Sequence, residues 1–276
     1  MDPVKKICII PRTSSLSVPQ ATSAASAIQE QILKDFYPVW KKSAVITASS
    51  SPKIGYTPVF VMDNVAGGLS GYHFTEDGVP YAIVQAGPRW SLAASHEILE
   101  LLVDPDADMR VHGTTPDGTG SCEYILEVCD PCQDIEFAYA IDGWPVSDFC
   151  LPRYFEAGTL PASSAPCSFK KHLASPKQVL PGGTLAWVTP DGRAHQAVFG
   201  QAGLQVFDRG PYVPGALPAR AFIGQFDRTF AKSLSIQAPP SEVRKNNQVK
   251  KERKEKSKEL SSMFDKHIKS RILNQK

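Results

Sequence analysis

Three polar residues in an otherwise apolar stretch have the spacing of a metal-binding site. His96, Glu97 and Glu100 belong to the segment Ser-His-Glu-Ile-Leu-Glu, which begins at Ser95. Residues four apart on a helix project from one face about one turn apart, so His96 and Glu100 can bind the same divalent cation. Glu97 lies about 100° around the helix axis, where it can reach a metal-bound water without being a ligand. We therefore predict that His96 and Glu100 are metal ligands and that Glu97 is a catalytic general base.

The spacing follows the His-Glu-x-x-His motif of zinc peptidases, with Glu100 in place of the second histidine. Zinc accepts a carboxylate ligand, as do manganese, iron and calcium ions. The expected cofactor is therefore Zn²⁺ or another divalent metal ion. Because a carboxylate leaves the metal less electrophilic than a second neutral histidine would, we expect a modest activity.

A second acidic segment supplies the remaining candidate ligands. The sequence Glu-Val-Cys-Asp-Pro-Cys places Glu127 and Asp130 downstream of the helix, and one or both carboxylates can complete a site that keeps a position for water. A hydrolytic reaction also needs a donor that steadies the oxyanion, and the candidates are His73, Tyr72 and Tyr139.

Less specific interpretations of the same residues stay open. The charged residues near His96 can simply decorate the exposed face of a helix, although the many apolar neighbours leave little polar surface there. Asp104 is a weak ligand candidate, because Asp-Pro is a common helix stop. Cys129 and Cys132 have the spacing of a redox pair or of half a zinc knuckle. No second pair follows, and Pro131 indicates a loop, so neither interpretation is favoured.

The elements that must position these residues follow from apolar periodicity and from turn residues. A strand is predicted over 6–11, an amphipathic helix over 22–42 that Pro38 kinks or ends, and the active-site helix over 90–103 with Ser91 as a plausible N-cap. Four short strands are predicted between the two helices, over residues 43–49, 57–63, 71–76 and 80–85. This order predicts an α+β fold.

The order of elements over residues 5–103 resembles the N-terminal half of the zincin metallopeptidase fold, in which a mixed sheet with one antiparallel edge strand lies over the active-site helix. The paired segments from Ser95 to Pro105 and from Glu127 to Cys132 resemble those of the plant phosphate-induced (EXORDIUM-like) proteins and related uncharacterised bacterial proteins. The resemblance implies that His96, Glu100 and one or both of the downstream carboxylates hold a metal, with Glu97 as general base.

Four parts of the chain are predicted. The resemblance implies a zincin-like metal-binding domain over residues 1–175, and Gly-Gly and Asp-Gly turns predict a small β-rich subdomain over residues 176–207. Residues 208–241 are rich in Pro, Gly and Ala and indicate a linker, and residues 242–276 indicate a charged helical or disordered tail.

Bulk properties restrict the class of protein. The hydrophobic fraction of 42% and the charged fraction of 21% are ordinary for a globular chain, and no apolar run is long enough to cross a bilayer. The N-terminus lacks the apolar run of an export signal, so we expect a cytoplasmic protein whose six cysteines are reduced thiols.

Charge is distributed unevenly along the chain. The predicted tail holds twelve Lys or Arg against five Asp or Glu, a formal charge of +7, which leaves −5 for residues 1–241. Such a tail can contact nucleic acid or an acidic partner, but Phe264 is its one aromatic residue, so a solvated charged face is favoured.

Two functions therefore follow from the sequence. The first is a metal-dependent hydrolase of peptide or protein substrates that uses metal-activated water. The alternative is a non-catalytic, metal-stabilised domain that binds a partner.

Overall fold

The computed structural model of the chain describes residues 4–65, 69–76, 78–156, 165–216 and 218–224. The predicted basic tail over 242–276 lies outside the described residues, as does most of the predicted linker. Among the described residues, no helix combines the length and the apolar character that crossing a membrane requires.

Five strands and four helical segments form the first half of the fold. The strands are β1 (Lys5–Arg12), β2 (Ala44–Ala48), β3 (Thr57–Met62), β4 (Gly71–Glu76) and β5 (Val79–Gln85). The helices are α1 (Val18–Gln31), the short α2 (Tyr37–Trp40) and α3 (Trp90–Val103), and a π-helical segment (Ile32–Phe36) joins α1 to α2. The predicted α+β class and the predicted bounds of α3 are confirmed.

The first sheet is mixed and has the order β2-β1-β3-β5-β4. All neighbouring strands are parallel except β4, which pairs antiparallel with β5 and forms one edge. Ile7 and Ile9 of β1 face the main core together with buried residues of α1 and α3, whereas Cys8 and Ile10 face a smaller cluster on the other side. This alternation follows from the period of two along a strand and places α3 against one face of the sheet.

The helix predicted over 22–42 begins earlier and is interrupted. The side chain of Ser17 accepts a hydrogen bond from the N–H of Gln20, and the side-chain oxygen of Gln20 accepts one from the N–H of Ser17. This capping box starts the helix at Val18. The cap predicted for α3 is wrong, because the helix begins at Trp90 and the hydroxyl of Ser91 donates to the carbonyl of Pro145.

A second, antiparallel sheet has the order β12-β11-β10-β7-β6. Its strands are β6 (Arg110–Thr114), β7 (Ser121–Ile125), β10 (Thr184–Val188), β11 (Arg193–Gly200) and β12 (Gly203–Pro211), and a separate hairpin is formed by β8 (Tyr139–Ile141) and β9 (Trp144–Val146). Because β10 pairs with β7, the boundary predicted at residue 175 falls inside one sheet. Strand β12 likewise continues past residue 207 into the predicted linker.

The predicted boundary at residue 175 differs from the observed sheet for a physical reason. Local turn residues identify each strand, but the pairing of Trp187 with Tyr124 joins strands about sixty residues apart, and no local pattern encodes such a contact. The residues predicted as a β subdomain therefore complete the sheet beside the candidate site.

Candidate metal centre

Helix α3 is buried along its whole length, and His96, Glu97 and Glu100 are buried with it. The interpretation of these residues as the exposed face of an amphipathic helix is therefore wrong. A buried ionised side chain is costly unless an opposite charge or several hydrogen bonds compensate it. The partners of these three residues consequently decide what the site can do.

One group of donor atoms surrounds the Nε2 atom of His96. This nitrogen lies 3.1 Å from Oε2 of Glu100 and 3.4 Å from Oδ1 of Asp130. The other oxygen of Glu100, Oε1, accepts hydrogen bonds from the N–H groups of Cys129 at 3.0 Å and Asp130 at 3.3 Å. Glu100 therefore both faces His96 and holds the downstream segment in place. The thiol of Cys129 lies near enough to His96 and Glu100 to be a fourth candidate donor.

A second group of donor atoms surrounds His73, which lies on the edge strand β4. Its Nδ1 atom lies 3.3 Å from Oε2 of Glu97 and 3.8 Å from Oε2 of Glu100. Its Nε2 atom lies 3.2 Å from the carbonyl oxygen of Asp104, which can only accept a hydrogen bond. The same oxygen of Glu100 thus faces both imidazoles, and the two groups share it.

The side chain of Glu127 lies beside these groups, and its carboxylate makes no hydrogen bond among the described residues. Glu127 is only 4% exposed. The closest cation is Arg220, whose Nε lies 3.5 Å from Oε1 of Glu127 and whose Nη2 lies 3.6 Å from Oδ2 of Asp130. The hydroxyl of Thr184 also donates to Asp130.

The pKa values reflect this crowding. Burial by itself lowers the pKa of His96, but the charge of Glu100 and hydrogen bonds to Asp130 and Glu100 outweigh it, so the pKa is raised well above its usual range. Burial raises the pKa of Glu100, but the charge of His96 outweighs it and the pKa is lowered. Burial and then the charge of Glu100 raise the pKa of Glu127 well above its usual range. In the absence of a metal, protons supply the positive charge that the cluster lacks.

The arrangement fits a divalent cation. Ligands about 2.1 Å from a tetrahedral zinc ion lie roughly 3.4 Å from one another, which is close to the separations around His96. An imidazole and carboxylates are also ligands that zinc, manganese and iron accept. Glu127, with buried oxygens that make no hydrogen bond among the described residues, is a further available donor.

All five residues predicted for the site lie in one cluster: His96, Glu97, Glu100, Glu127 and Asp130. Their roles as ligands or base stay predictions. The hydroxyl of Tyr139, predicted as an oxyanion donor, instead donates to Asp35 at 2.7 Å.

The sequence did not indicate two members of the cluster. Arg220 lies in the predicted linker, and Thr184 lies in the predicted β subdomain. Composition therefore assigned both residues to parts of the chain other than the predicted metal-binding domain. His73 was considered only as a substrate contact, whereas the structure pairs it with Glu97. The six cysteines are free and buried, as expected of a structural role.

Comparisons of the chain with models of protein families, with curated proteins and with solved structures gave no match. The resemblance to zincins and to EXORDIUM-like proteins therefore rests only on the order of elements and on the quoted motifs. Since a fold supports many functions, the chemistry of the site carries the functional argument.

Proposed function

We propose that the chain is a metal-dependent hydrolase of peptide or protein substrates, with Zn²⁺ or another divalent cation held by His96, Glu100 and Asp130 and with Glu127 as a further ligand. The observation that carries the proposal is the approach of one carboxylate oxygen of Glu100 and one of Asp130 to within 3.4 Å of the Nε2 atom of His96, inside a buried cluster that is rich in negative charge.

A zincin-like arrangement of the fold is part of the proposal. In its support, the sheet is mixed, and its antiparallel edge strand β4 lies against α3. Gly71 of this strand allows the close approach, because a Cβ atom there would lie 2.8 Å from Oε1 of Glu97.

When bound, the metal would polarise a substrate carbonyl and lower the pKa of a water molecule. Glu97 would accept the proton of that water on its carboxylate and later return it to the leaving amine. His73 is poorly placed to contact the substrate, because its two nitrogens face Glu97 and the carbonyl of Asp104.

The depth of burial favours the second candidate function, a metal-stabilised domain that binds a partner without catalysis. The exposed fraction is 8% for His96 and 5% for Glu97, which leaves a substrate little access in this conformation. A structural metal site needs neither access nor a base. Glu97 therefore separates the two functions.

The first test is the metal content of the purified protein, measured by elemental analysis for wild type and His96→Ala. We expect at least one equivalent of a divalent metal in wild type. In His96→Ala we expect the affinity for the metal at this position to fall by more than about 100-fold, since a ligand and not a supporting group is lost. A wild-type protein that holds no metal after supplementation would refute the proposal.

The second test separates catalysis from binding. Glu97→Gln should lower peptide hydrolysis by about 10²–10⁴-fold, the usual contribution of a general base, while metal remains at His96. Glu136→Gln makes the same change at an exposed position and should leave hydrolysis unchanged. Metal binding without hydrolysis in a broad peptide screen would favour the binding domain.

A further inference from the structure

The second group of donor atoms, around His73, is not used as a ligand set in the proposed hydrolase. His73, Glu97 and Glu100 each offer one ligand atom, and these atoms all lie within 4.8 Å of one another. All three side chains are at most 7% exposed. The group contains an imidazole from β4 and two carboxylates from α3, so two separate elements of the fold form it.

The tautomer of His73 presents a lone pair to the two carboxylates. The carbonyl of Asp104 accepts from Nε2, so in the neutral ring the proton lies on Nε2 and Nδ1 is an acceptor. Nδ1 and the facing oxygens of Glu97 and Glu100 would then be three acceptors without a donor, and a positive species must lie between them. Histidines that bind metals usually donate their other ring N–H to a carbonyl or carboxylate, which is the contact found here.

Charge balance points to more than one cation. Four buried carboxylates belong to the cluster, those of Glu97, Glu100, Glu127 and Asp130, and a fifth, that of Asp104, lies beside His73 and accepts a hydrogen bond from the N–H of Met109. Among the ion pairs of the described residues, Arg220 is the one group of fixed positive charge beside them. With neutral imidazoles, five carboxylates and one guanidinium leave four negative charges. One divalent cation neutralises half of this charge, and two neutralise all of it.

We propose a second divalent-cation site formed by His73, Glu97 and Glu100, adjacent to the site at His96 and sharing the carboxylate of Glu100 with it. This inference rests on the proposed function, because Glu100 is the common ligand. Bridging carboxylates of this kind hold two metal ions about 3.5–4 Å apart in two-metal enzymes.

Occupation of the second site has a consequence for Glu97. A carboxylate that binds a cation cannot at the same moment take up a proton from water, so the second cation would suppress turnover by the first. Hydrolysis should therefore rise and then fall as the concentration of Zn²⁺ increases. In His73→Phe the fall should be absent.

The deciding experiment counts cations on the full-length protein. Metal-free wild type is titrated with Zn²⁺ in a calorimeter, and bound zinc is counted by elemental analysis after equilibrium dialysis. We expect two equivalents of different affinity in wild type. His73→Phe should keep the tighter one and weaken the other by more than about 100-fold, because a ligand is lost. The phenylalanine leaves the carbonyl of Asp104 its hydrogen bond from Ala107.

Two further variants serve as matched comparisons. His112→Phe removes an imidazole that is 87% exposed and should keep both equivalents. Glu97→Gln should also keep the tighter equivalent and weaken the second, and it decides the matter if circular dichroism shows that His73→Phe does not fold.

The outcomes distinguish this inference from the proposed function. A single equivalent in wild type that is lost in His96→Ala overturns the second site and leaves the hydrolase proposal intact. Two equivalents that survive in both His73→Phe and Glu97→Gln also overturn it, because a proton then occupies the position beside His73. No bound zinc in wild type overturns both.

Discussion

The polar groups around Ser95 differ sharply from those around its neighbour His96, although both residues lie on α3. The hydroxyl of Ser95 donates to Oε1 of Gln31 at 2.7 Å and accepts from the N–H of Ser147 at 3.0 Å. The amide of Gln31 donates to the carbonyl of Ser147 and to the hydroxyl of Tyr139, which donates to Asp35. Each donor in this network has an acceptor.

Around His96 the balance is reversed. Carboxylates outnumber cations, the carboxylate of Glu127 makes no hydrogen bond among the described residues, and the pKa values of His96 and Glu127 are raised. A buried network that satisfies itself contributes rigidity. A buried cluster with excess charge of one sign is costly unless protons or a bound cation compensate it. The two sides of one helix thus differ in whether their buried polar groups are paired within the described residues.

The largest effect is expected for Glu100→Gln. The amide oxygen can still accept from the N–H groups of Cys129 and Asp130, so the fold should persist. The lost charge should weaken metal binding by more than about 100-fold, because Glu100 is a proposed ligand at the centre of the cluster. The measurement is competition for Zn²⁺ with a chelating dye. Unchanged affinity would show that the charge around His96 serves the fold after all.

The stability of the metal-free fold should fall with rising pH, whereas the stabilisation that a bound metal adds should grow with rising pH. Because its folded-state pKa is raised, protonated His96 stabilises the metal-free fold below its ordinary pKa of about 6.5, and this stability is lost as pH rises through the raised value. The raised pKa of Glu127 acts in the same direction, starting from a lower pH. Metal binding needs the deprotonated imidazole, so the stabilisation by metal should grow with pH.

This dependence is measured by denaturant unfolding at several pH values, from about 6.5 upward, with and without Zn²⁺. In metal-free His96→Ala the free energy of unfolding should decline less with rising pH than it does in metal-free wild type. A metal-free wild type whose stability is constant over this range would contradict the idea that protons replace the metal.

The smallest effect is expected on the satisfied side of the helix. Ser95→Ala should lower the free energy of unfolding by about 1–3 kcal/mol, because the N–H of Ser147 and the amide of Gln31 lose a buried partner. Metal affinity should stay unchanged. Denaturant unfolding and the dye competition measure the two quantities, and Ser26→Ala, on the exposed face of α1, should change neither. A loss of metal affinity in Ser95→Ala would contradict the distinction between the network around Ser95 and the cluster around His96.

Much of the first half of the fold could be predicted from local patterns. The bounds of α3 and the bounds of β4 agree with the prediction, because apolar periodicity and punctuation by Gly and Pro act over a few residues. The second sheet was only partly predictable. Its strands have clear local signals, but their pairing across residue 175 depends on contacts between distant segments.

Helical spacing is a local property, so the sequence was enough to predict that His96, Glu97 and Glu100 share a helix and that carboxylates downstream are available. The contacts of Glu127 and Asp130 with that helix, the approach of His73 and Arg220, and the separate hydrogen bonds of Ser95 are visible only in the folded chain. These contacts depend on the packing of β4, α3 and residues 219–224 against one another. Packing is set by the whole core, so no short segment contains the information.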